Sequence, residues 1–347
     1  DEECVETIDV EVLVVGAGTS GYFCAASAAE SGARTLLIEK NAMGNNIRSA
    51  GLASVGSKYQ KAEGERGEID PIAIVNDMDR YGLGQIRSDL VMKWALNSGE
   101  AIDWFADLID KAQRGVGLVL EWNMPEGTFY ADWPTGHGTV HDDPNAEYGD
   151  REVIIGEILN EYIASFDGCE VRFSTPMQCL IVENGKVVGA YAESKDGLIR
   201  INASKGVVVA TGGYSRNVEM YQDRQAPRVS CLGAMNDMPS STGDGIKALL
   251  WIGATMDVTP PSMTFNRCLL LADQEVGAPY DTGGDYGYFT YGSQPFLRVD
   301  AHGNRFHNES APYDFVFSAL VKHPEGERYW HQVWDGNWKE DVKRFHT

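Results

Sequence analysis

The feature that most constrains this chain is a glycine-rich turn set between an apolar strand and a helix of small residues. Residues 9–15 read DVEVLVV, typical of a buried parallel strand, and GAGTSG follows directly at 16–21. Residues 22–32 (YFCAASAAESG) predict a helix that ends at its last glycine, and residues 34–39 (RTLLIE) predict a second strand. This order predicts a parallel βαβ unit and therefore an α/β fold.

Glycines spaced as GxGxxG in this context indicate a dinucleotide-binding site. Gly16 permits a tight turn, Gly18 lets the backbone approach a pyrophosphate, and Gly21 lets the helix pack closely against the strand. The helix N-terminus would present backbone N–H groups and a partial positive charge to the diphosphate. Glu39, at the end of the second strand, can accept hydrogen bonds from an adenosine ribose and would repel a 2′-phosphate, which disfavours NADP.

Features further along the chain favour FAD over NAD. Lys40 and a loop containing GNN at 44–46 follow the second strand, and a buried strand at 206–210 runs into a TGG turn. A long cofactor lying across a sheet requires such a returning strand with a small-residue turn. TGDG at 242–245 predicts the start of another helix.

The rest of the chain shows a mixed pattern. Residues 70–112 predict two helices, and residues 151–165 predict a third. Residues 41–66 are interpreted as loop and residues 113–150 as irregular. Short strands are predicted with hairpin turns at Asn184-Gly185 and Asp196-Gly197; they cover residues 169–173, 178–184, 186–194, 198–204 and 206–210.

Composition limits the partners. A chain of 347 residues with 43% hydrophobic and 23% charged residues is globular and long enough for two domains. The net charge of −22 disfavours nucleic acid and anionic membrane surfaces, so a small-molecule substrate is expected. No apolar run reaches the roughly 20 residues of a membrane span. A soluble protein is expected, either cytoplasmic or exported after removal of an N-terminal segment.

Eight motifs distributed over the chain resemble one known family. They are VLVVGAGTSG at 12–21, IEKNAMGNN at 38–46, SDLVMKWALNSGEAIDWF at 88–105, WPTGHG at 133–138, KVVGAYAES at 186–194, GVVVATGGYSRN at 206–217, STGDGIKALLWIGA at 241–254 and VDAHGNRFHNE at 299–309. The family is the flavoprotein superfamily of fumarate reductase and succinate dehydrogenase, which also holds urocanate reductase and the 3-ketosteroid dehydrogenases. The resemblance implies a Rossmann-type FAD-binding domain with an inserted α+β capping domain.

The resemblance also implies domain limits. Residues 1–257 would form the FAD-binding domain, and residues 258–347 would begin the capping domain. Family members are usually longer and carry a C-terminal segment with a further flavin contact and substrate-binding residues. The chain is therefore expected to be a fragment that lacks this C-terminal part.

The resemblance assigns FAD contacts residue by residue. The diphosphate would be held by Gly16, Gly18, Thr19, Ser20 and Gly21, the adenosine end by Glu39 and Lys40, and the flavin side by Asn46 and Ile47; Ala210, Thr211, Gly212 and the backbone near Met177 would face the adenine, and Asp244 the ribityl or diphosphate region. No histidine follows Asn46 as in the covalent-flavin enzymes, so noncovalent FAD is expected.

Catalytic residues follow from the same resemblance. Glu309 occupies the position of the acid in the family's proton relay, Tyr313 replaces the relay arginine, and Lys339 falls on the catalytic arginine. Lysine and tyrosine can both donate protons. Glu309 as a surface acid paired with Arg305, and Lys339 as a solvated helix residue, remain open alternatives.

Two sequence features constrain the substrate: the lack of one histidine and a run of aromatic residues. The family's fumarate-binding histidine has no counterpart near residues 256–266, which disfavours a C4 dicarboxylate. The aromatic run at 280–296 favours a larger, flatter substrate, unless it is simply a packed loop. His137 and His141 lie beside two aspartates, but the intervening glycines disfavour a metal cluster, and the resemblance allows His137 to lie near the flavin.

The sequence thus predicts an FAD-dependent oxidoreductase that reduces an activated C=C bond of an organic acid or enone by hydride transfer from flavin N5. Alternatives are a desaturase of a steroid-like ketone, a flavin-binding fragment without turnover, and an NAD-dependent dehydrogenase. The resemblance also implies an electron donor, a haem, FMN or iron–sulfur protein outside this chain; the chain itself has no CxxCH motif for a c-type haem.

Overall fold

The computed structural model describes residues 3–44, 51–82, 84–121, 133–233, 240–257, 294–309, 311, 313–323 and 328–342. The chain divides into two compact units, Asp1–Ala210 and Thr211–Thr347. The predicted domain boundary at 257/258 borders residues 258–293, which lie outside the described residues. That boundary therefore stays a prediction.

The first unit contains nine strands, five α-helices and a short 3-10 helix among its described residues. The strands are β1 (Glu6–Val15), β2 (Thr35–Ile38), β3 (Leu52–Ala53), β4 (Val116–Leu120), β5 (Gly136–His141), β6 (Glu170–Arg172), β7 (Met177–Glu183), β8 (Lys186–Ser194) and β9 (Gly197–Val209). The helices are α1 (Thr19–Glu30), α2 (Lys58–Ala62), α3 (Pro71–Tyr81), α4 (Ser88–Ala112) and α5 (Tyr148–Ala164), with the 3-10 turn at Gly64–Gly67.

The main sheet has six strands in the order β6-β2-β1-β9-β8-β7. β1 pairs in parallel with both β2 and β9, and β2 pairs in parallel with β6. The carboxyl ends of these strands therefore meet at one edge of the sheet, where ligands bind in open α/β sheets. The predicted α/β class with a parallel βαβ unit is confirmed.

Helix α1 packs closely because its sequence is dominated by small residues. Gly21, Ala25, Ala26 and Ala29 are all buried on it. The helix ends where predicted, since Gly32 adopts φ +79° and its N–H donates to the carbonyl of Ala29 at 2.9 Å. A core of α1, α4 and α5 side chains packs around it.

Strands β7, β8 and β9 form an antiparallel meander. Asn184 and Gly185 have φ of +51° and +76°, which suits the tight hairpin turn predicted for them. The second turn is shifted by one residue, because Gly197 already pairs with Ser194. The strands predicted at 198–204 and 206–210 are one strand, β9, whose pairing with β1 continues across a register shift between Val10 and Val12.

Two segments predicted to lack regular structure contain it, so those predictions are wrong. Within 41–66 the chain forms β3, α2 and the 3-10 turn, and within 113–150 it forms β4 and β5. These strands make a separate antiparallel sheet in the order β3-β5-β4. Elements this short, with many glycines, give no periodic apolar signal in the sequence.

The second unit contains α6 (Val218–Val229), α7 (Asp244–Trp251), β10 (Leu297–Val299), α8 (Tyr313–Val321), β11 (His331–Val333) and α9 (Trp338–Asp341). β10 and β11 pair antiparallel. Among the residues described, no helix combines the length and the apolar composition that crossing a membrane requires.

Candidate functional site

The glycine turn between β1 and α1 has the geometry that its sequence predicts. Gly16 adopts φ +103°, and its N–H donates to the carbonyl of Ile38 at 2.8 Å. Gly18 is the N-cap of α1 and offers no capping side chain. A Cβ on Gly21 would lie 1.7 Å from the Gly16 carbonyl oxygen, so only glycine fits there. The N-cap of α1 therefore carries no side chain that could cap the helix in place of an anion.

Glu39 anchors this turn from the end of β2. It is 6% exposed, and its Oε2 accepts the backbone N–H of Ala17 at 2.8 Å. Its Oε1 accepts the backbone N–H of Asn41 at 2.9 Å and the side-chain amide of the same residue at 2.7 Å. A carboxylate has about four lone-pair sites, so acceptor capacity for a ribose hydroxyl remains. The contact of Asn41 with Glu39 was not predicted. The indication in the sequence was that Asn41 lies two residues after Glu39.

Two other predicted contacts of the first unit lie near the same edge. The Ala210 N–H donates to the carbonyl of Val15 at 2.8 Å, which places Ala210 beside the glycine turn. The Thr175 N–H donates to the Glu39 carbonyl at 2.8 Å, and Met177 begins β7 two residues later. The structure thus brings four separate chain segments to the carboxyl edge of the sheet.

These residues fit a bound dinucleotide. The site combines a positive-φ glycine, a helix whose N-cap is glycine and a buried carboxylate at the end of the neighbouring strand. Thr19 and Ser20 form the first turn of α1, and Lys40 is half-buried next to Glu39. This set can hold a diphosphate and an adenosine ribose, which are the two parts shared by FAD and NAD.

Three predicted FAD contacts belong to the second unit. Thr211 and Gly212 follow β9, with Gly212 at φ +72°. Asp244 is the first residue of α7, and its carboxylate accepts the Thr242 hydroxyl at 2.8 Å and pairs with Lys247 Nζ at 3.1 Å. Asn46 and Ile47, predicted beside the flavin, lie outside the described residues.

Glu309 is a buried carboxylate held by two arginines. Its side chain is 8% exposed and pairs with Arg305 Nη2 at 2.6 Å, and Oε1 accepts the backbone N–H of Arg298 at 3.2 Å. Burial favours the neutral acid, but these hydrogen bonds outweigh burial and hold the pKa of Glu309 below its ordinary value. Glu309 pairs with Arg305, as one alternative predicted, yet it is not a surface residue.

The other two predicted catalytic residues, Tyr313 and Lys339, belong to two helices of the second unit. Lys339 is exposed on α9, with Nζ 5.6 Å from the centre of the Trp338 ring. Tyr313 begins α8, and its side chain lies outside the described residues. Among the described side chains, no contact joins Lys339 to Glu309. Their shared role in proton transfer remains a prediction.

His137 is fully buried in the three-stranded sheet β3-β5-β4, called the small sheet below. Its ring makes hydrogen bonds that the sequence did not predict. Its Nδ1 lies 2.9 Å from the Thr135 carbonyl and 3.2 Å from the Leu52 carbonyl, so this nitrogen must carry the proton. Its Nε2 then accepts the Ser57 hydroxyl at 2.8 Å. This network ties α2 to β5 across a sequence separation of 80 residues. His137 therefore acts here as a structural residue.

His141 has a different environment on the same strand. Its Nδ1 accepts the backbone N–H of Asp143 at 2.9 Å. The two histidines are four residues apart on β5, which separates them by about 13 Å along a strand. Within the described residues, no group of three His, Cys, Asp or Glu side chains could hold a metal ion.

We expect the stability of the protein to fall as the pH is lowered, because of His137. Burial lowers the pKa of His137 below its ordinary 6.5, so the unfolded chain binds a proton more readily than the native protein. The stability from neutral His137 is complete above pH 6.5 and decreases below it, by up to about 1.4 kcal/mol per pH unit. Urea unfolding between pH 5 and pH 8, at about 0.5-unit steps, measures this slope.

The matched variants are His137→Gln and His141→Gln on the same strand. His137→Gln is expected to lower the unfolding free energy by about 2–4 kcal/mol and to flatten the acid decline. His141→Gln should change it by less than about 1 kcal/mol. An unchanged acid slope in His137→Gln would show that another group controls the pH dependence.

The sequence of this chain is similar to one family profile and to several known proteins. The profile of the family described as "FAD binding domain" matches residues 11–336. The chain is 28% identical over 335 residues to a probable fumarate reductase of Shewanella frigidimarina, covering 92% of this chain and 50% of that protein. It is 27% identical over 328 residues to a digoxin reductase of Eggerthella lenta, covering 89% of this chain and 56% of that protein.

Solved structures show the same fold. A flavocytochrome c3 fumarate reductase in an open conformation superposes with a TM-score of 0.65 at 23% identity, covering 98% of this chain and 55% of that one. A 3-ketosteroid dehydrogenase from Rhodococcus jostii gives a TM-score of 0.65 at 18% identity, covering 92% and 65%. The chain spans about half the length of the curated relatives it matches.

Proposed function

Because the chain belongs to the FAD-binding domain family, we propose that it binds FAD noncovalently and forms part of an oxidoreductase that reduces an activated C=C bond. The observation that carries this proposal is the glycine turn, in which Gly21 packs against Gly16, backed by the buried carboxylate of Glu39. Bound FAD would supply a hydride from N5, and the protein would bind, orient and provide a proton.

The chain's own residues have distinct tasks in this proposal. Gly16, Gly18 and Gly21 keep side chains away from the diphosphate, and the N–H groups of Thr19 and Ser20 at the start of α1 favour its negative charge. Glu39 accepts one ribose hydroxyl with its remaining lone-pair site. Lys40, Asn46, Ile47, Met177, Ala210, Thr211, Gly212 and Asp244 complete the proposed cofactor-binding set.

Proton delivery is assigned to Tyr313 or Lys339, with Glu309 behind them. The lowered pKa of Glu309 keeps it ionised at neutral pH, so Glu309 is not itself the group that donates the proton to the substrate. One hydride and one proton add across the C=C bond, and a haem, FMN or iron–sulfur protein outside this chain would supply the electrons.

The relatives support two substrate classes. A fumarate reductase and a urocanate reductase among them act on unsaturated acids by name, whereas the digoxin reductase has a steroid-derived substrate. A 3-oxosteroid 1-dehydrogenase of Mycobacterium tuberculosis is 32% identical over 155 residues, 42% of this chain and 25% of that protein. This similarity favours desaturation of a steroid-like ketone as the second candidate function.

The test is a flavin titration of the longest natural form of the protein. We expect a visible flavin spectrum, release of FAD by acid precipitation, bleaching by anaerobic reductant and reoxidation by an enoate or an enone. Lys339→Gln and Tyr313→Phe identify the donor, since only its loss should slow reoxidation by about 100-fold. A protein that stays colourless with added FAD would sink the proposal, and oxidation of saturated ketones alone would favour the desaturase.

A further inference from the structure

Two histidines lie on either side of Phe306 in the second unit. The chain returns from β10 where Arg305 bridges to Val299, and Phe306 and His307 follow directly. The centre of the Phe306 ring lies 4.6 Å from that of His307 and 5.1 Å from that of His323, with steep angles between the ring planes. His323 comes just after α8, so Phe306 connects the segment after β10 to the end of that helix.

The imidazole of His307 is buried without a hydrogen bond. Among the described residues neither Nδ1 nor Nε2 has a partner, and both atoms are shielded from solvent. A second aromatic neighbour is Trp330, whose ring centre lies 6.0 Å from that of His307. The ring is neutral in such a place, because an imidazolium there would lack both water and an acceptor for its protons.

The charges around His307 also oppose its protonation. Arg298 of β10 and Arg305 act against a positive charge on the ring, and the carboxylate of Glu309 favours one. Glu309 is already paired with Arg305 Nη2 at 2.6 Å and with the Arg298 N–H at 3.2 Å. Burial has the largest effect and holds the pKa of His307 below its ordinary 6.5. An opened chain therefore binds a proton at His307 more readily than the native protein does.

His323 has different surroundings on the other side of Phe306. Its side chain is 6% exposed, and its Nε2 lies 3.7 Å from the carboxylate of Asp300, which is buried as well. A proton on His323 would therefore face a counter-charge inside the fold. No such unpaired carboxylate is described beside His307, so we expect acid to act on this region through His307.

Trp330 connects His307 to a small core. The buried members of this core are Cys231, Phe317 and Leu320, and Trp330 packs against them. β10 and β11 have three residues each, and their paired residues Leu297 and Val333 are 45% and 48% exposed. A sheet of two strands is at best marginally stable by itself. Local opening here should therefore cost less free energy than unfolding of the whole protein.

We infer that His307 is an acid-sensitive latch: its neutral ring holds the segment after β10 against Trp330, and its protonation opens this part of the second unit. A proton taken up from solvent makes an imidazolium that has water as its only available hydrogen-bond partner, so the ring leaves its buried place. The equilibrium constant for opening should be constant above about pH 7 and rise as the pH falls below 6.5, by up to about 30-fold between pH 8 and pH 5. Opening does not require bound FAD, so the inference is independent of the proposed function.

The test is hydrogen–deuterium exchange of the full chain without FAD between pH 5 and pH 8, with rates corrected for the intrinsic pH dependence of amide exchange. Protection of β10 and α8 is expected to fall by up to about 30-fold at pH 5. Labelling of Cys231 by a thiol reagent, measured relative to Cys24, should rise in parallel, because Cys231 is buried in the same core and Cys24 is exposed.

His307→Phe keeps an aromatic ring and removes the titrating group, so protection of β10 and α8 should vary by less than about threefold over the same pH range. His307→Gln should give the same flat dependence, whatever its overall protection. His331→Gln, at an exposed histidine on β11, is the control and should keep the wild-type fall. In β1 and β9 of the first unit, wild type and His307→Phe should show the same pH dependence.

Two results would overturn the inference. One is a wild-type protein in which protection of β10 and α8 does not change between pH 8 and pH 5. The other is a fall that persists in both His307→Phe and His307→Gln, since another group would then control the opening. Neither result involves the flavin, so both leave the proposed function unaffected.

Discussion

Gly21→Ala is expected to abolish measurable FAD retention and to lower the unfolding free energy by about 3 kcal/mol or more. The new Cβ would lie 1.7 Å from the Gly16 oxygen and 2.9 Å from its carbonyl carbon, both of which are backbone atoms. A backbone contact is relieved only by moving the turn or the helix. Loss of two diphosphate hydrogen bonds of about 1.5 kcal/mol each corresponds to roughly 100-fold weaker binding.

The measurements are the ratio of flavin absorbance to protein absorbance after purification, and urea unfolding of the FAD-free protein. Gly149→Ala is the matched control, since it lies in helix α5 and a Cβ there meets nothing within 4 Å. Alanine in a helix is favoured over glycine by about 1 kcal/mol, so this control should be neutral or more stable. A Gly21→Ala protein that retains wild-type FAD content would show that the turn can move without cost.

Glu39→Ala is expected to lower the unfolding free energy by about 3 kcal/mol and to weaken FAD binding by about 10- to 100-fold. The substitution leaves the buried backbone N–H of Ala17 and the partly buried N–H of Asn41 without their acceptor. Each unsatisfied buried donor costs about 1–3 kcal/mol. The ribose also loses its acceptor, so cofactor binding and stability should fall together.

Glu39→Gln separates these two effects. Its amide has one accepting oxygen for two backbone donors, so its stability should fall between those of wild type and Glu39→Ala. Urea unfolding without FAD and fluorescence titration with FAD give the two quantities. Glu68→Ala, an exposed glutamate, is the control and should change stability by less than about 0.5 kcal/mol. Unchanged FAD affinity in Glu39→Ala would remove Glu39 from the binding site.

The glycine turn between β1 and α1 could be predicted from the sequence because the residues that indicate it are close together in the chain. Strand β1, the glycine turn, α1 and β2 occupy one continuous stretch of the chain. The apolar run predicts the strand, the small residues predict a closely packed helix, and the acid marks the end of the second strand. Each of these signals depends only on residues that are close together in the chain. The hairpin turn at Asn184 and Gly185 was predicted for the same reason, since positive φ at both positions favours those residues.

The small sheet could not be predicted, because its stabilising contacts join distant residues. β3 has two residues and β5 six, too few for a clear alternation. The Ser57–His137 and Gly51–Glu121 hydrogen bonds span 80 and 70 residues. The sequence disfavoured a metal role for His137, and the family resemblance allowed it to lie near the flavin; in the structure its ring is buried and bonded to backbone carbonyls and a serine.

By itself, then, the sequence determined the parallel βαβ unit, the glycine turn and the position of Glu39 at the end of the second strand. Those features depend on backbone conformation and charge within about 40 consecutive residues. Only the tertiary structure decided that Glu309 is a buried, ionised carboxylate, that Lys339 is exposed and that Glu121 fixes Gly51. Burial and ionisation depend on which groups surround a side chain in the folded protein and with what geometry, and a linear pattern of residues does not contain that information.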